Sequence, residues 1–203
     1  MSSSDSKSPF KLSLAERLTE TVEQLGALFQ QRKTTHALIG GIAASVRSRT
    51  RTTKDVDLLL SVPQLELPGL LQAMLDHGCQ FDLVTAIREW NAGGMLALIW
   101  SNGVRVDLLK PVIPSFQHIL NRASEERIGG QIIRVADAEG LLVLKLLAFR
   151  PIDQDDIQAI LVANSGKLDL EWVRNEARQS GTSLERLAQF EAMVVEFSEP
   201  PPT

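Results

Sequence analysis

The sequence predicts an α/β (α+β) fold, and three observations carry that prediction. Short runs of strand formers, "THALIG", "DVDLLLSV", "MLALIW" and "GVRVDLL", are interleaved with stretches of helical periodicity up to about residue 135. From Asp137 onward every apolar pattern has the helical period, so strands and helices mix first and only helices follow. The chain has 203 residues, 44% hydrophobic and 23% charged, ordinary for a globular protein long enough to bury a core.

Each element has a local reason. "SLAERLTETVEQLGALFQQRK" repeats apolar residues at helical spacing, with Ser13 as N-cap and Glu16 closing a capping box. "THALIG" reads as a short buried strand, "GIAASVRSR" as a helix and "DVDLLLSV" as a second strand. "LPGLLQAMLDHG" fits a helix ended by Gly78 as its C′ residue. "FDLVTAIREWNAGG" carries both helix and strand signals and is read as a helix. "MLALIWSNGVRVDLLKP" is a hairpin signal, with Asn102-Gly103 expected as a type I′ turn. "SFQHILNRASEE" reads as a helix, and "RIGGQIIRVA" as a second hairpin turning at Gly129-Gly130. Four helical stretches complete the chain: "DAEGLLVLKLLAFR", "DQDDIQAILVANS", "DLEWVRNEARQ" and "SLERLAQFEAMVVEF". The expected division is an α/β core over 10–135 and a helical region over 136–196. The polar stretches 1–9 and 197–203 are expected to be disordered tails.

Composition excludes several classes. A net charge of −4 leaves no global footprint for nucleic acid or an anionic membrane. Cys79 is the sole cysteine, so no intrachain disulfide forms and a reducing compartment is expected. The N-terminus has no apolar signal-peptide region and "LLVLKLLAF" is too short to span a bilayer, so the expectation is a cytoplasmic protein with no membrane partner.

The chemistry concentrates in acids on strands. Side chains alternate along a strand, so Asp55 and Asp57 share one face while Val56, Leu58 and Leu60 take the other. Two such carboxylates, roughly 6–7 Å apart along a strand, repel each other, and a divalent cation with hard oxygen ligands resolves the repulsion. In "GVRVDLL", Asp107 alternates with Val106 and Leu108 and supplies a third candidate. Three such acids suit metal-assisted phosphoryl or nucleotidyl transfer. The alternative is that each is a solvated residue on a half-exposed sheet.

Gly40-Gly41 closes one strand and opens a helix, where backbone N–H groups and the helix dipole favour phosphate. A tight strand-to-helix turn is the simpler alternative. Arg47 and Arg49 read as a solvated face, whereas Arg51 and Lys54 precede the acidic strand and are placed to meet a triphosphate or an RNA backbone.

Taken together, "IGGIAASVRSRTRTTKDVDLLL" resembles the signature of the polymerase-β-like nucleotidyltransferase superfamily: strand, Gly-Gly, helix, then Asp-x-Asp. Thirteen residues separate Gly41 from Asp55. "RTTKDVD" is similar to the corresponding segment of small bacterial members, including abortive-infection-toxin-type nucleotidyltransferases, and "RVDLL" to the later strand that carries the third carboxylate. The likeness covers roughly residues 35–165 and is sharpest over 38–60. It implies a small mixed sheet flanked by helices, an NTP substrate and Mg²⁺ or Mn²⁺ as cofactor. The carboxylates Asp55, Asp57 and Asp107 take the catalytic and metal-binding roles. It also implies nucleotide contacts from Gly40, Gly41, Arg51, Thr53 and Lys54.

"LLVLKLLAF" is apolar except at Lys145, which either snorkels to the surface or reaches the triphosphate. The family resemblance implies the second, followed by Arg150, Asp153 and Asp156; Ile152 departs from the lysine common there. Asp153 reads equally as the N-cap of the next helix, and Asp155 and Asp156 as its first-turn acids. His36, His77 and His118 lack ligand spacing, Cys79 reads as structural, and Trp90, Trp100 and Trp172 read as core or interface residues.

The resulting expectation is a metal-dependent nucleotidyltransferase moving an NMP group to a hydroxyl of tRNA, a protein or a small molecule, in the manner of a toxin-type enzyme. The rival readings are a non-catalytic nucleotide-binding or toxin–antitoxin partner that keeps the fold, and a sugar transferase using Asp-x-Asp.

Overall fold

A computed structural model describes residues 12–49 and 51–197; the expected tail at 1–9 and residues 198–203 of the expected tail at 197–203 lie outside the described residues, whereas Phe197 ends a helix. In chain order the elements are α1 (Leu14–Arg32), β1 (Thr35–Ile39), α2 (Gly40–Arg47), β2 (Asp55–Ser61), α3 (Leu67–Asp76), α4 (Leu83–Gly93), β3 (Met95–Ile99) and β4 (Arg105–Leu109). They continue as α5 (Pro114–Arg122), β5 (Ser124–Ile128), β6 (Gln131–Val135), α6 (Ala138–Ala148), α7 (Pro151–Ala163), α8 (Leu170–Gln179) and α9 (Leu184–Phe197). The α/β fold and its helical C-terminal part are therefore as expected.

The strands form one mixed sheet in the order β3-β4-β2-β1-β6-β5. β2 lies at its centre, antiparallel to β1 and parallel to β4. Its apolar run follows from that place: Val56, Leu58, Leu59 and Leu60 are all buried. One face of β2 and β4 packs Val56, Leu58, Val106 and Leu108 into the core. The other face carries Asp55, Asp57 and Asp107, and α2, α6 and α7 enclose that side.

Local signals hold where they are strong. Ser13 and Glu16 form the reciprocal capping box, and Gly78 follows the α3 C-cap with φ +87°. The region 83–93 is a helix. Two expectations are corrected. The β3–β4 hairpin exists, but its turn is not type I′, because Gly103 has φ +82° while Asn102 does not have positive φ. The Gly103 N–H donates to Trp100 O across a three-residue loop, Ser101 to Gly103. The Asn102 side chain instead ties the loop to α1 through Arg17 and Glu20. The second correction is that "ASEE" is not helical. α5 ends at Arg122, and Ser124–Ile128 pairs with β6, sheet contacts overriding local preference. Among the described residues no helix is long and apolar enough to cross a membrane.

Candidate active site

β2 and β4 run parallel with Asp57 directly opposite Asp107 and Asp55 opposite Arg105. Residues opposite one another on a sheet share a face. The three carboxylates therefore converge, with one oxygen from each within 4.8 Å of the others. Among the described residues this is the group of His, Cys, Asp or Glu side chains close enough to share a metal ion. Burial, and then the charges of Asp55 and Asp107, push the Asp57 carboxyl up from 3.8 to about 6. Such a set of hard oxygen donors, one of them reluctant to ionise alone, fits a divalent cation. The Thr53 hydroxyl donates to Asp55 Oδ1 at 2.8 Å, and Arg105 Nε donates to both oxygens of Asp107 at 2.9 and 3.1 Å.

Gly40 lies directly above this acid cluster. Its φ of +66° disfavours any side chain, and a Cβ there would overlap the Asp57 carboxylate. A Cβ on Gly41 would come within 2.7 Å of Thr53 Oγ1 and 2.9 Å of Arg51 Nη2. The glycine pair is thus required by close approach as well as by the turn. The N-cap of α2 is Ile39, which offers no side-chain acceptor, so no cap side chain takes up the first N–H groups of the helix beside the carboxylates.

The other side of the site is built by the helical region. α6 ends at Phe149, which has φ +53°, and α7 starts at Arg150 and Pro151, folding the second helix back on the first. Lys145 does not snorkel to the surface. It is buried and donates to Asp153 Oδ1 at 2.9 Å and Asp156 Oδ2 at 2.8 Å. Asp153 is not the N-cap: it is the N3 residue and accepts the Arg150 N–H at 3.1 Å. Burial raises the Asp153 carboxyl, but hydrogen bonds from Arg150 and Lys145 hold it below its ordinary value.

Gly40, Gly41, Arg51, Thr53, Lys54, Asp55, Asp57, Asp107 and Lys145 all line one cavity of about 670 Å³. Arg51 forks onto Asp156 with Nε–Oδ1 at 2.6 Å and Nη2–Oδ2 at 2.9 Å, whereas Lys54 is exposed. Arg47 is not a solvated residue. It bridges α2 to the β5–β6 hairpin through Glu126, Ser124 Oγ, Val135 O and Ala136 O. Arg49 is exposed as expected.

Sequence reasoning passed over Arg105, which holds Asp107, and part of the cavity lining. Arg105 was within reach, since it stands two residues before Asp107 on the same strand face. Phe116, Leu109 and Leu144, which give the cavity an apolar wall, carry no local signal and meet only in the fold. The residues set aside are structural. Cys79 is buried and its thiol is pushed up to about 12 by that burial. His36 packs on Phe29, His118 bonds Glu176, and Trp90 and Trp100 are core.

A mixed sheet that sets three strand-borne carboxylates under a glycine-opened helix is the arrangement that the resemblance to nucleotidyltransferases implies. The sequence matches, over residues 18–188, the family described as nucleotidyl transferase of unknown function (DUF2204), and the chain belongs to that family. It is by family an enzyme of the nucleotidyltransferase type. The solution structure of the antibiotic-resistance factor ANT(2'')-Ia resembles it with a TM-score of 0.57 at 16% identity, covering 90% of this chain and 99% of that one. Two crystal structures match with TM-scores of 0.47 at 14% identity. One, an antigenic nucleotidyltransferase-like protein from Paracoccidioides brasiliensis, covers 89% of this chain and 88% of its own. The other, ANT(2'')-Ia in complex with adenylyl-2''-tobramycin, covers 89% and 97%. At such identities the likeness is one of fold. No curated protein matches the sequence.

Proposed function

We propose that this protein is a metal-dependent nucleotidyltransferase that moves an NMP group from an NTP to a hydroxyl acceptor and releases pyrophosphate. The observation that carries the reading is the convergence of Asp55, Asp57 and Asp107 within 4.8 Å beneath Gly40-Gly41. The three carboxylates would hold Mg²⁺ or Mn²⁺, which when bound neutralises phosphate charge and acidifies a nearby hydroxyl.

The chain's own groups do the rest. The α2 N-terminal N–H groups at Gly40-Gly41 cradle phosphate oxygens, and Arg51, Lys54 and Lys145 offset the charge of the triphosphate. Thr53 fixes the orientation of Asp55 through its hydrogen bond. Asp107 accepts the proton of the attacking hydroxyl while the acceptor oxygen bonds to the α-phosphorus. The bond from that phosphorus to the bridging oxygen breaks, and pyrophosphate leaves with the electron pair. The acceptor is a hydroxyl of RNA, a protein or a small molecule. A toxin-type role corresponds to the first two, and the single buried thiol fits a cytoplasmic enzyme.

The test is incubation with each α-labelled NTP and Mg²⁺ or Mn²⁺ in cell extract, followed by separation of RNA, protein and small molecules. Label entering one fraction, and absent with Asp57→Asn, supports the reading. Label in none of the three would sink it in favour of a nucleotide-binding module without turnover.

A further inference from the structure

The cations at the phosphate end of the cavity do not project freely into it. Arg51, on the segment before β2, and Lys145, on α6, both bind the same carboxylate of α7, Asp156. Asp153 holds Lys145 from its other side and is itself clasped by Arg150. Three cations share two carboxylates, and Asp153 and Asp156 are 0% and 3% exposed. Removing charged groups from water to this degree is an expensive way of joining two helices, and apolar residues of similar size do that at least as well. The network is better explained by what it leaves over.

Donor accounting shows what that is. An ammonium has three N–H donors and a guanidinium five. Lys145 uses two, on Asp153 and Asp156, and has one left. Arg51 uses three, two on Asp156 and one on Thr52 O, and has two left. Both side chains line the cavity beside Gly41 and the acid cluster, and both are anchored from behind. The network as a whole keeps one positive charge in excess.

We infer that Asp156 is a positioning residue that aims Arg51 and Lys145, from two distant parts of the chain, at the polyphosphate of the nucleotide. Asp153, clasped by Arg150, sets Lys145 from the opposite side. The inference rests on the nucleotidyltransferase reading for its ligand and specifies how that ligand is gripped.

The test uses opposite signs. If Asp156 only ties α7 to its neighbours, Asp156→Asn in the full chain removes a negative charge beside an anion site and leaves tripolyphosphate binding unchanged or tighter. If it positions the two cations, the same change weakens binding although the local charge has become more positive. We expect the dissociation constant for inorganic tripolyphosphate with Mn²⁺ present, and the KM for NTP, to rise about tenfold or more. Mn²⁺ binding alone, followed by electron paramagnetic resonance, stays within about twofold because Asp156 does not touch the acid cluster. Unchanged or tighter tripolyphosphate binding, or none in the wild type, overturns the inference. Should Asp156→Asn fail to fold, Asp156→Glu keeps the charge and lengthens the arm. Weaker tripolyphosphate binding then supports positioning, and wild-type binding overturns it. The two readings fail separately: no NMP transfer alongside Asp156-dependent tripolyphosphate binding sinks catalysis alone, while transfer without that dependence sinks the positioning role alone.

Discussion

Replacing Asp57 by asparagine keeps the side chain's size and removes its charge, and the effect on stability can be worked from its surroundings. Burial and the neighbouring Asp55 and Asp107 raise its carboxyl from 3.8 to about 6. The folded protein therefore binds this proton more tightly than the unfolded chain does. Between those two values the native state holds more protons, so stability falls as pH rises through that window. The cost is absent below 3.8 and complete above about 6. At about 1.4 kcal/mol per pH unit the two values correspond to about 3 kcal/mol. Without divalent cations, Asp57→Asn should then be more stable than wild type at neutral pH by up to that amount. At roughly 2–4 °C per kcal/mol for a chain of this size, Tm would rise by about 6–12 °C. Urea denaturation in EDTA, at neutral pH and at about pH 4.5, measures the gap. It should be widest at neutral pH and shrink through pH 6, while NMP transfer is lost. A variant no more stable than wild type at neutral pH, or a gap that ignores pH, would refute the account of the acid cluster as a site stabilised by its ligand and not by itself.

Four further predictions concern the metal, two glycines and Arg47. Mg²⁺ or Mn²⁺ should stabilise the wild type by about 2.7 kcal/mol at a hundredfold excess over its Kd, more at neutral pH than below pH 6, and Asp107→Asn should lose that stabilisation in thermal melts. Gly40→Ala should abolish transfer and destabilise by more than the roughly 1–2 kcal/mol of left-handed strain, because its Cβ meets Asp57. Gly166→Ala, at φ +71° in open space, carries the strain alone and should leave activity intact. Arg47→Ala should cost about 1–3 kcal/mol in urea titrations by freeing carbonyls of Val135 and Ala136, with KM for NTP unchanged in the folded fraction.

Much of the site was legible because its signals are local. Alternation alone separates Asp55 and Asp57 from Val56 and Leu58, and a Gly-Gly at a strand-to-helix junction has few explanations. The capping box at Ser13 and Glu16 spans a single turn. Misreadings arose where distant partners decide. Ser124 to Glu126 favour a helix by themselves but pair with β6. Arg47 looks like a solvent-facing helix residue until the β5–β6 hairpin arrives beneath it. Asn102-Gly103 names a hairpin correctly, but α1 claims the Asn102 side chain and the loop takes three residues.

By itself the sequence determined that acids face away from the core on two strands, that glycines open the helix beside them, and that a lysine is embedded in an apolar helix. The tertiary structure decided that Asp57 stands opposite Asp107, that burial, with the charges of Asp55 and Asp107, lifts one carboxyl to about 6, and that Lys145 meets Arg51 through Asp156. Strand register, burial and ion pairing join residues some 50 to 105 positions apart, and no periodicity along the chain encodes such distances.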